Sequence, residues 1–512
     1  MPPLTRKLLV VLVLLLSAYL RLVNLRHSPA WYHDECIFVN QTWNLMRGQF
    51  MWDGVEHTYL PRMPLMHLLI MPFFLLFGRD VVWVRLIAAL SGIVTTWLVY
   101  RIAREAGGVR RAILAALIFA VFPYIVLMNR WGFSYNLDCA LGAANLYFLQ
   151  RFVRNREKKR YLFLAALMAG LGVMVDPISG SRLILTGVVS FFCATWGMAI
   201  AASALAALPL FGYVGFMWFF HHTAFVQDVQ IIFMQRLKHN TILKLLMGLW
   251  KYLSTIGPMA AAGLTGVLFL LPLGRKGRLI VWATLLDIAF MLRAGGPDPS
   301  IMYRTGVMIA PAICIGLAYA IAAAGQRFEL LIGEHRRRLM QFLRLPLAGR
   351  MSESLVWGLR LSLGAGLIWL MMQPSLSGIF GQFPDNYNQA CLFSIEDADK
   401  TAQWANARLR PDDLVITSHV EWMFNCKTTS PMLADLLSFG QRSPIYYDAL
   451  KQRLHYSCRL EDARWVILND ATAGLNKHYH FDNTLREICS TWKLIKQQGP
   501  FQIYENPALA AR

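Results

Sequence analysis

The sequence predicts an α-helical polytopic membrane protein with about 11 transmembrane helices and a C-terminal extracytoplasmic α/β domain. Three observations predict it. Of the 512 residues, 56% are hydrophobic and only 16% are charged, whereas a soluble globular chain carries about 25% charged residues; the mean hydropathy is +0.41. Apolar runs of 15–23 residues recur along most of the chain, close to the length that crosses a hydrocarbon core about 30 Å thick. From about Gln382 the pattern changes to short β-like runs alternating with helical ones.

The formal net charge is +20, yet the basic residues lie in short segments between apolar helices. Clusters at 101–111, 151–160, 275–278 and 327–350 hold 19 of the 50 Lys and Arg. That is the positive-inside pattern of cytoplasmic loops. None is interleaved with aromatics as a groove for single-stranded nucleic acid is, so a nucleic-acid partner is not expected.

These clusters fix the topology. The first span follows Arg6 and Lys7 and runs from Leu8 to about Val23. No small-x-small cleavage site follows it, and Arg21 and Arg26 flank its end, so it reads as an uncleaved span with a cytoplasmic N-terminus. Between the basic clusters at 101–111 and 151–160 lie 39 residues, enough for two helices with Asn129–Asp138 turning outside. Helix Val82–Tyr100 then enters from outside, and the loop 24–80 is external. Pro64–Gly78 is only 15 residues long and contains Pro72, which predicts an interfacial or re-entrant helix rather than a span.

Further spans are expected at 161–175, 183–197, 200–220, 253–273, 279–292, 302–324 and 355–373. A polar outer loop with an amphipathic stretch is expected over 221–251. The odd total puts the C-terminus outside. The division is therefore 1–378 for the membrane domain and 379–512 for the extracytoplasmic domain. In the latter, strands are expected at Leu414–Thr417, Trp465–Leu468 and Phe501–Tyr504, and helices at Asp397–Leu409 and Met432–Phe439. Their alternation suggests a largely parallel sheet. Cys391, Cys426, Cys458 and Cys489 in this domain allow two disulfides in three connectivities if the domain lies outside.

The chemistry centres on Trp31-Tyr32-His33-Asp34-Glu35, a pair of carboxylates behind aromatics about ten residues beyond the first span. A carboxylate at the membrane surface can act as general base for a hydroxyl or amine. Arg130, Arg182 and Arg304 fall in predicted outer turns, against the positive-inside trend, and Arg62 stands before Pro64. His33, His57 and His67 match no zinc spacing, and no glycine-rich nucleotide loop occurs. A cofactor is not expected, a divalent cation is left open as the lesser alternative, and a nucleotide-sugar donor is disfavoured. Asp138 also suits a helix cap.

Asp34-Glu35 after the first span, Met46-Arg47-Gly48-Gln49, Leu60-Pro61-Arg62-Met63-Pro64-Leu65 and Phe77-Gly78 together resemble the first outer loop of GT-C glycosyltransferases. The nearest branch is the protein O-mannosyltransferase and lipid A aminoarabinose transferase group. Arg130 to Asp138 resembles that group's second outer loop. Met302-Tyr303-Arg304 to Pro311 resembles its late Arg-Tyr…Pro helix, with Arg and Tyr reversed. The resemblance covers roughly residues 1–325.

It implies an enzyme of the plasma (inner) membrane that transfers a sugar, with inversion, from a polyprenyl-phosphate donor to an extracytoplasmic protein, lipid or glycan acceptor. Asp34 matches the catalytic carboxylate. Glu35 would orient acceptor or sugar, or exchange roles with Asp34, and Asp138 would support acceptor placement or tune Asp34. Arg130, Arg182, Arg304 and Arg62 would meet the donor phosphate. Tyr32, His33 and His57 would bind substrate. The alternative is a lipid or solute transporter or flippase; it needs charges inside spans, of which Asp287 is one.

Overall fold

The computed structural model describes residues 2–30, 32–47, 63–222, 225–226, 229, 241–295, 299–343, 348–381, 395–431 and 459–510. The side chain of His33 is outside the description, as are Trp31, His57, Arg62, Cys391, Cys458 and the expected helix Met432–Phe439.

The chain opens with α1 (Pro3–Leu22), α2 (His33–Met46), α3 (Pro64–Phe77) and α4 (Val81–Gly107). Pro64 starts α3 where a missing N–H costs nothing, and Gly78 at φ +83° ends it. Asp80 Oδ1 then accepts from Val82 N (2.8 Å) and caps α4. Next come α5 (Val109–Val121) and α6 (Pro123–Arg130), bent by 58° at Pro123. They are followed by α7 (Ser134–Arg154), α8 (Arg160–Val173), α9 (Gly180–Cys193) and α10 (Trp196–Phe220). The membrane part ends with α11 (Ile242–Ile256), α12 (Pro258–Gly266), α13 (Gly274–Gly295), α14 (Pro299–Thr305), α15 (Ala310–Leu343) and α16 (Ala348–Phe380).

The chain is a multi-pass membrane protein. Among the described residues five helices are by themselves long and apolar enough to cross, or six if α5 and α6 form one bent span, against the eleven expected. Pro64–Phe77, Arg160–Val173 and Pro177–Cys193 are apolar but shorter. The helix α11 takes in Lys251, which the sequence left in a loop. It turns Leu243, Leu246, Met247 and Trp250 outward and buries Tyr252.

Three of the basic clusters meet at one acid. Glu105 Oε1 and Oε2 accept from Arg151 (3.4 Å), Arg154 (3.2 Å) and Lys276 (2.9 Å). The segments 101–111, 151–160 and 275–278 thus share one end of the helical bundle.

The C-terminal part has α17 (Ile395–Asn406), β1 (Leu414–Thr417), β2 (Lys427–Thr429), β3 (Trp465–Leu468), α18 (Asp470–Tyr479), α19 (Asp482–Thr491), β4 (Lys493–Gln498) and β5 (Phe501–Glu505). The sheet order is β2-β1-β3-β5-β4. β1 is parallel to β2 and β3, but β3–β5 and β5–β4 are antiparallel. The expectation of a largely parallel sheet therefore holds for one half only. The polar run Lys493–Gln498 forms a hairpin with β5 that its composition concealed.

Cys426 and Cys489 are free thiols, so the expected pair of bridges does not form. Cys426 precedes the edge strand β2, while Cys489 lies in α19 beside Tyr504 of β5. Three strand spacings separate those positions, about 14 Å, and a disulfide needs its Cα atoms within about 7 Å.

The two parts share a core. Phe38, Met66, Ile70 and Val84 from α2, α3 and α4 pack in one cluster with Val415, Trp422 and Trp465 of the C-terminal part. Arg26 bridges the same seam, donating to Asp80 (2.9 Å) and through both terminal nitrogens to Asp399 on α17 (2.5 and 2.9 Å).

Candidate active site

The first turn of α2 carries the acidic pair, where helix geometry favours negative charge. The two carboxylates leave the helix in different directions. Glu35 is wholly buried. Its Oε1 accepts from Arg85 Nε (2.8 Å) and Gly132 N (2.8 Å), its Oε2 from Arg85 Nη2 (2.7 Å) and Tyr32 N (3.1 Å). Arg85 Nη1 donates onward to the carbonyls of Leu25, Arg26 and Pro29. With both side chains at 0% exposure, this ion pair locks α2 to α4 and to the turn after α6. The expected roles of Glu35, orienting substrate or replacing Asp34, are corrected by this geometry, because its oxygens are spoken for and sealed.

Asp34 points elsewhere. Its Oδ2 pairs with Arg304 Nη1, and the two side chains keep 12% and 15% exposure. Residues 270 positions apart in the chain thus meet at a place that solvent reaches. The Arg304 guanidinium also lies over the ring of Tyr32, 5.6 Å from its centroid. Tyr32 in turn packs on Trp131 (5.4 Å) and edge-on to Phe133 (5.1 Å). Tyr32 is buried and backs the arginine.

Arg304 sits on a short helix, α14, that two tyrosines hold from behind. Tyr124 donates to Tyr303 O (2.6 Å) and Tyr252 donates to Gly306 O (3.0 Å). A Cβ on Gly306 would lie 2.2 Å from the Tyr252 ring, so only glycine allows this approach.

Arg130 is not at this site as a free cation. Its guanidinium donates to the carbonyls of Leu20 (2.9 Å), Val23 (2.8 Å), Asn24 (3.1 Å) and Ser28 (2.7 Å). Fully buried, it staples the end of α1 and cannot also meet a phosphate. This corrects its expected role as a donor-phosphate ligand.

Asp138 and Arg182 belong to a second cluster. Asp138 Oδ1 accepts from Ser179 Oγ, Arg182 Nη2 pairs with Asp287 Oδ2, and Ser181 Oγ donates to Asp287 Oδ1 (2.7 Å). Asp176 caps the 3-10 turn Pro177–Ser179, accepting from Ile178 N (2.9 Å). Arg182 and Asp287 also line a small cavity of about 20 Å³ among Ile280, Met308 and Ile315. Arg182 gives Nη2 to Asp287, while its Nε and Nη1 have no hydrogen-bond partner among the described residues. Asp138 lies inside α7, not at its cap position, so neither the capping role nor contact with Asp34 is what its side chain does.

Of the expected residues, Asp34, Arg304 and Tyr32 are brought together. His57 and Arg62 lie outside the described residues, and so does the side chain of His33. Arg85, Tyr124 and Tyr252, which build the site from behind, were not singled out by the sequence. For Arg85 the signal was a charge four residues into an apolar helix.

Residues 61–180 match the family model for dolichyl-phosphate-mannose-protein mannosyltransferases, a segment that includes Arg85, Arg130 and Asp138 and stops short of Asp34 and Arg304. No curated protein matched the chain. Among solved structures, ArnT from Cupriavidus metallidurans bound to undecaprenyl phosphate is similar with a TM-score of 0.62 and 14% identity, over 99% of both chains. The apo form of that protein gives 0.60 and 13%, over 97% of both. The oligosaccharyltransferase of Archaeoglobus fulgidus gives 0.51 and 12%, over 91% of this chain and 69% of that one. At these identities the fold is what is shared, and it is the GT-C fold.

Proposed function

We propose that this chain is an inverting membrane glycosyltransferase, taking a sugar from a polyprenyl-phosphate carrier and passing it to a hydroxyl or amine on the extracytoplasmic side. The observation that carries the reading is the Asp34–Arg304 pair at a solvent-reached position between α2 and α14. The GT-C fold supports it, and so does the similarity to a protein solved with undecaprenyl phosphate.

In this reading the acceptor's lone pair attacks the anomeric carbon as the bond from that carbon to the phosphate oxygen breaks. The bonding electrons leave with the phosphate, and Asp34 takes the acceptor's proton. The donor phosphodiester carries one negative charge, and the released monoester gains a second. Arg304 is a cation paired with Asp34, so it can exchange Asp34 for the phosphate as that charge develops. The exchange frees the carboxylate at the moment a base is needed. The hydrophobic wall of Tyr32, Trp131 and Phe133 keeps one side of the pair dry, which strengthens both interactions.

The test is transfer from a panel of polyprenyl-phosphate hexoses and pentoses by protein in lipid nanodiscs. Asp34→Asn is expected to lower the rate by about 10²–10⁴-fold, the usual contribution of a positioned base. Unchanged transfer in that variant overturns the reading.

A further inference from the structure

Besides the apolar packing of the shared core, the C-terminal domain reaches the helix that carries Asp34 with a buried carboxyl group. Glu421 stands in the 3-10 turn Glu421–Met423, between β1 and β2, and is buried. Its Oε2 accepts from the Cys36 thiol (3.2 Å) and from Asn40 Nδ2 (3.2 Å). Residues 36 and 40 are one helical turn apart, so a single carboxyl grips one face of α2 just beyond Asp34. Glu421 Oε1 has no hydrogen-bond partner among the described residues.

The surroundings are apolar: Phe38, Ile70, Val84 and Trp422 belong to the shared core there. The titratable groups on the elements packed at this seam are Cys36 and Glu35 on α2, His67 on α3, Arg85 on α4, and His419 on the turn's own segment. Glu35 and Arg85 neutralise each other, and His67 Nδ1 is bonded to Thr42 (2.9 Å). Among the described residues no ion pair reaches Glu421.

We propose that Glu421 is a positioning residue. It holds α2 in the register that aligns Asp34 with Arg304, and so makes sugar transfer depend on a docked C-terminal domain. The proposal rests on Asp34 acting as the base.

Burial raises the Glu421 carboxyl to about 7, against the two side-chain hydrogen bonds that oppose the rise. The docked state therefore holds this proton more tightly than a solvated glutamate does. The docking contribution is fully present below the ordinary carboxylate value and is lost as pH rises through about 7. An amide in place of the carboxyl keeps the shape, and an acceptor for Asn40, without the titration.

The test follows amide exchange across α2 and the kinetics of transfer, in full-length protein in nanodiscs, between about pH 6 and 8.5. In the wild type, exchange of α2, corrected for the intrinsic rate, should speed up by about tenfold across that range, and kcat should fall in parallel. Glu421→Gln should flatten both profiles. Glu421→Ala should exchange α2 about tenfold faster throughout and lower kcat more than it changes KM for the donor. If Glu421→Gln keeps the wild-type pH dependence of α2 exchange, or Glu421→Ala leaves that exchange unchanged, the proposal is overturned. The Gln variant decides alone if the Ala variant does not fold. Transfer that survives Asp34→Asn overturns the base reading separately, because α2 exchange does not depend on it.

Discussion

Asp34 and Glu35 are adjacent, alike in chemistry and opposite in use. One helical step of about 100° separates their side chains, enough to send Glu35 into a sealed pocket and leave Asp34 at an opening. The pocket is built by Arg85, whose guanidinium binds Glu35 through two nitrogens and three loop carbonyls through the third. Removing the acid strands that cation, so Glu35→Gln should lower stability by about 3–5 kcal/mol, read as an earlier thermal unfolding transition. Asp34→Asn, in a pair only 12% and 15% exposed, should cost about 1–3 kcal/mol by the same measurement, with transfer lowered by about 10²–10⁴-fold. The sequence drew notice to the acidic pair. It did not reveal which member faces out, because that depends on an arginine hidden at the start of an apolar run. Arg130 misled for a related reason. An arginine in an outer turn is unusual, but here the demand it meets is five backbone contacts at the end of α1, not a ligand.

At the scale of elements, α14 is the least self-sufficient piece of the site. Seven residues make under two turns of helix, and an isolated segment of that length is unstable. Its order comes from Tyr124 and Tyr252, which reach its C-terminal end from α6 and α11. Gly306→Ala would press a methyl into the Tyr252 ring. The expected cost is about 1–3 kcal/mol of overpacking, with α14 displaced and kcat reduced; stability and transfer measured on the same preparation check both. None of this was readable beforehand. The tyrosines lie 179 and 54 residues from their carbonyl partners, and no local pattern announces such contacts. The strands were readable where they are apolar and buried, as at Val415, Ile416 and Val466. The exposed strand Lys493–Gln498 and the three-residue strand Lys427–Thr429 carried no such signal.

For the whole molecule, the charge pattern did more than the apolar pattern. The basic clusters at 101–111, 151–160 and 275–278 were expected on one side of the membrane, and Glu105 of the first gathers Arg151 and Arg154 of the second and Lys276 of the third. Helix counting was less secure, because several helices are short, bent or interrupted by glycine and proline. The seam between the two parts is carried by packing and by Arg26, whose guanidinium the paired Asp399 and Asp80 hold firmly protonated. Arg26→Ala should loosen that seam by about 1 kcal/mol, the worth of a partly exposed pair. Faster amide exchange of α17 without a change in α4 checks it.

The shared core has a practical corollary for anyone recombining such enzymes. The boundary near residue 380 marks a change in composition, but the structural unit runs across it: Val415, Trp422 and Trp465 interleave with side chains supplied hundreds of positions earlier. A hybrid that inherits the C-terminal piece from one parent and α2 to α4 from another splits a jigsaw along its teeth. The segment to transplant is discontinuous, and Asp34 travels with it.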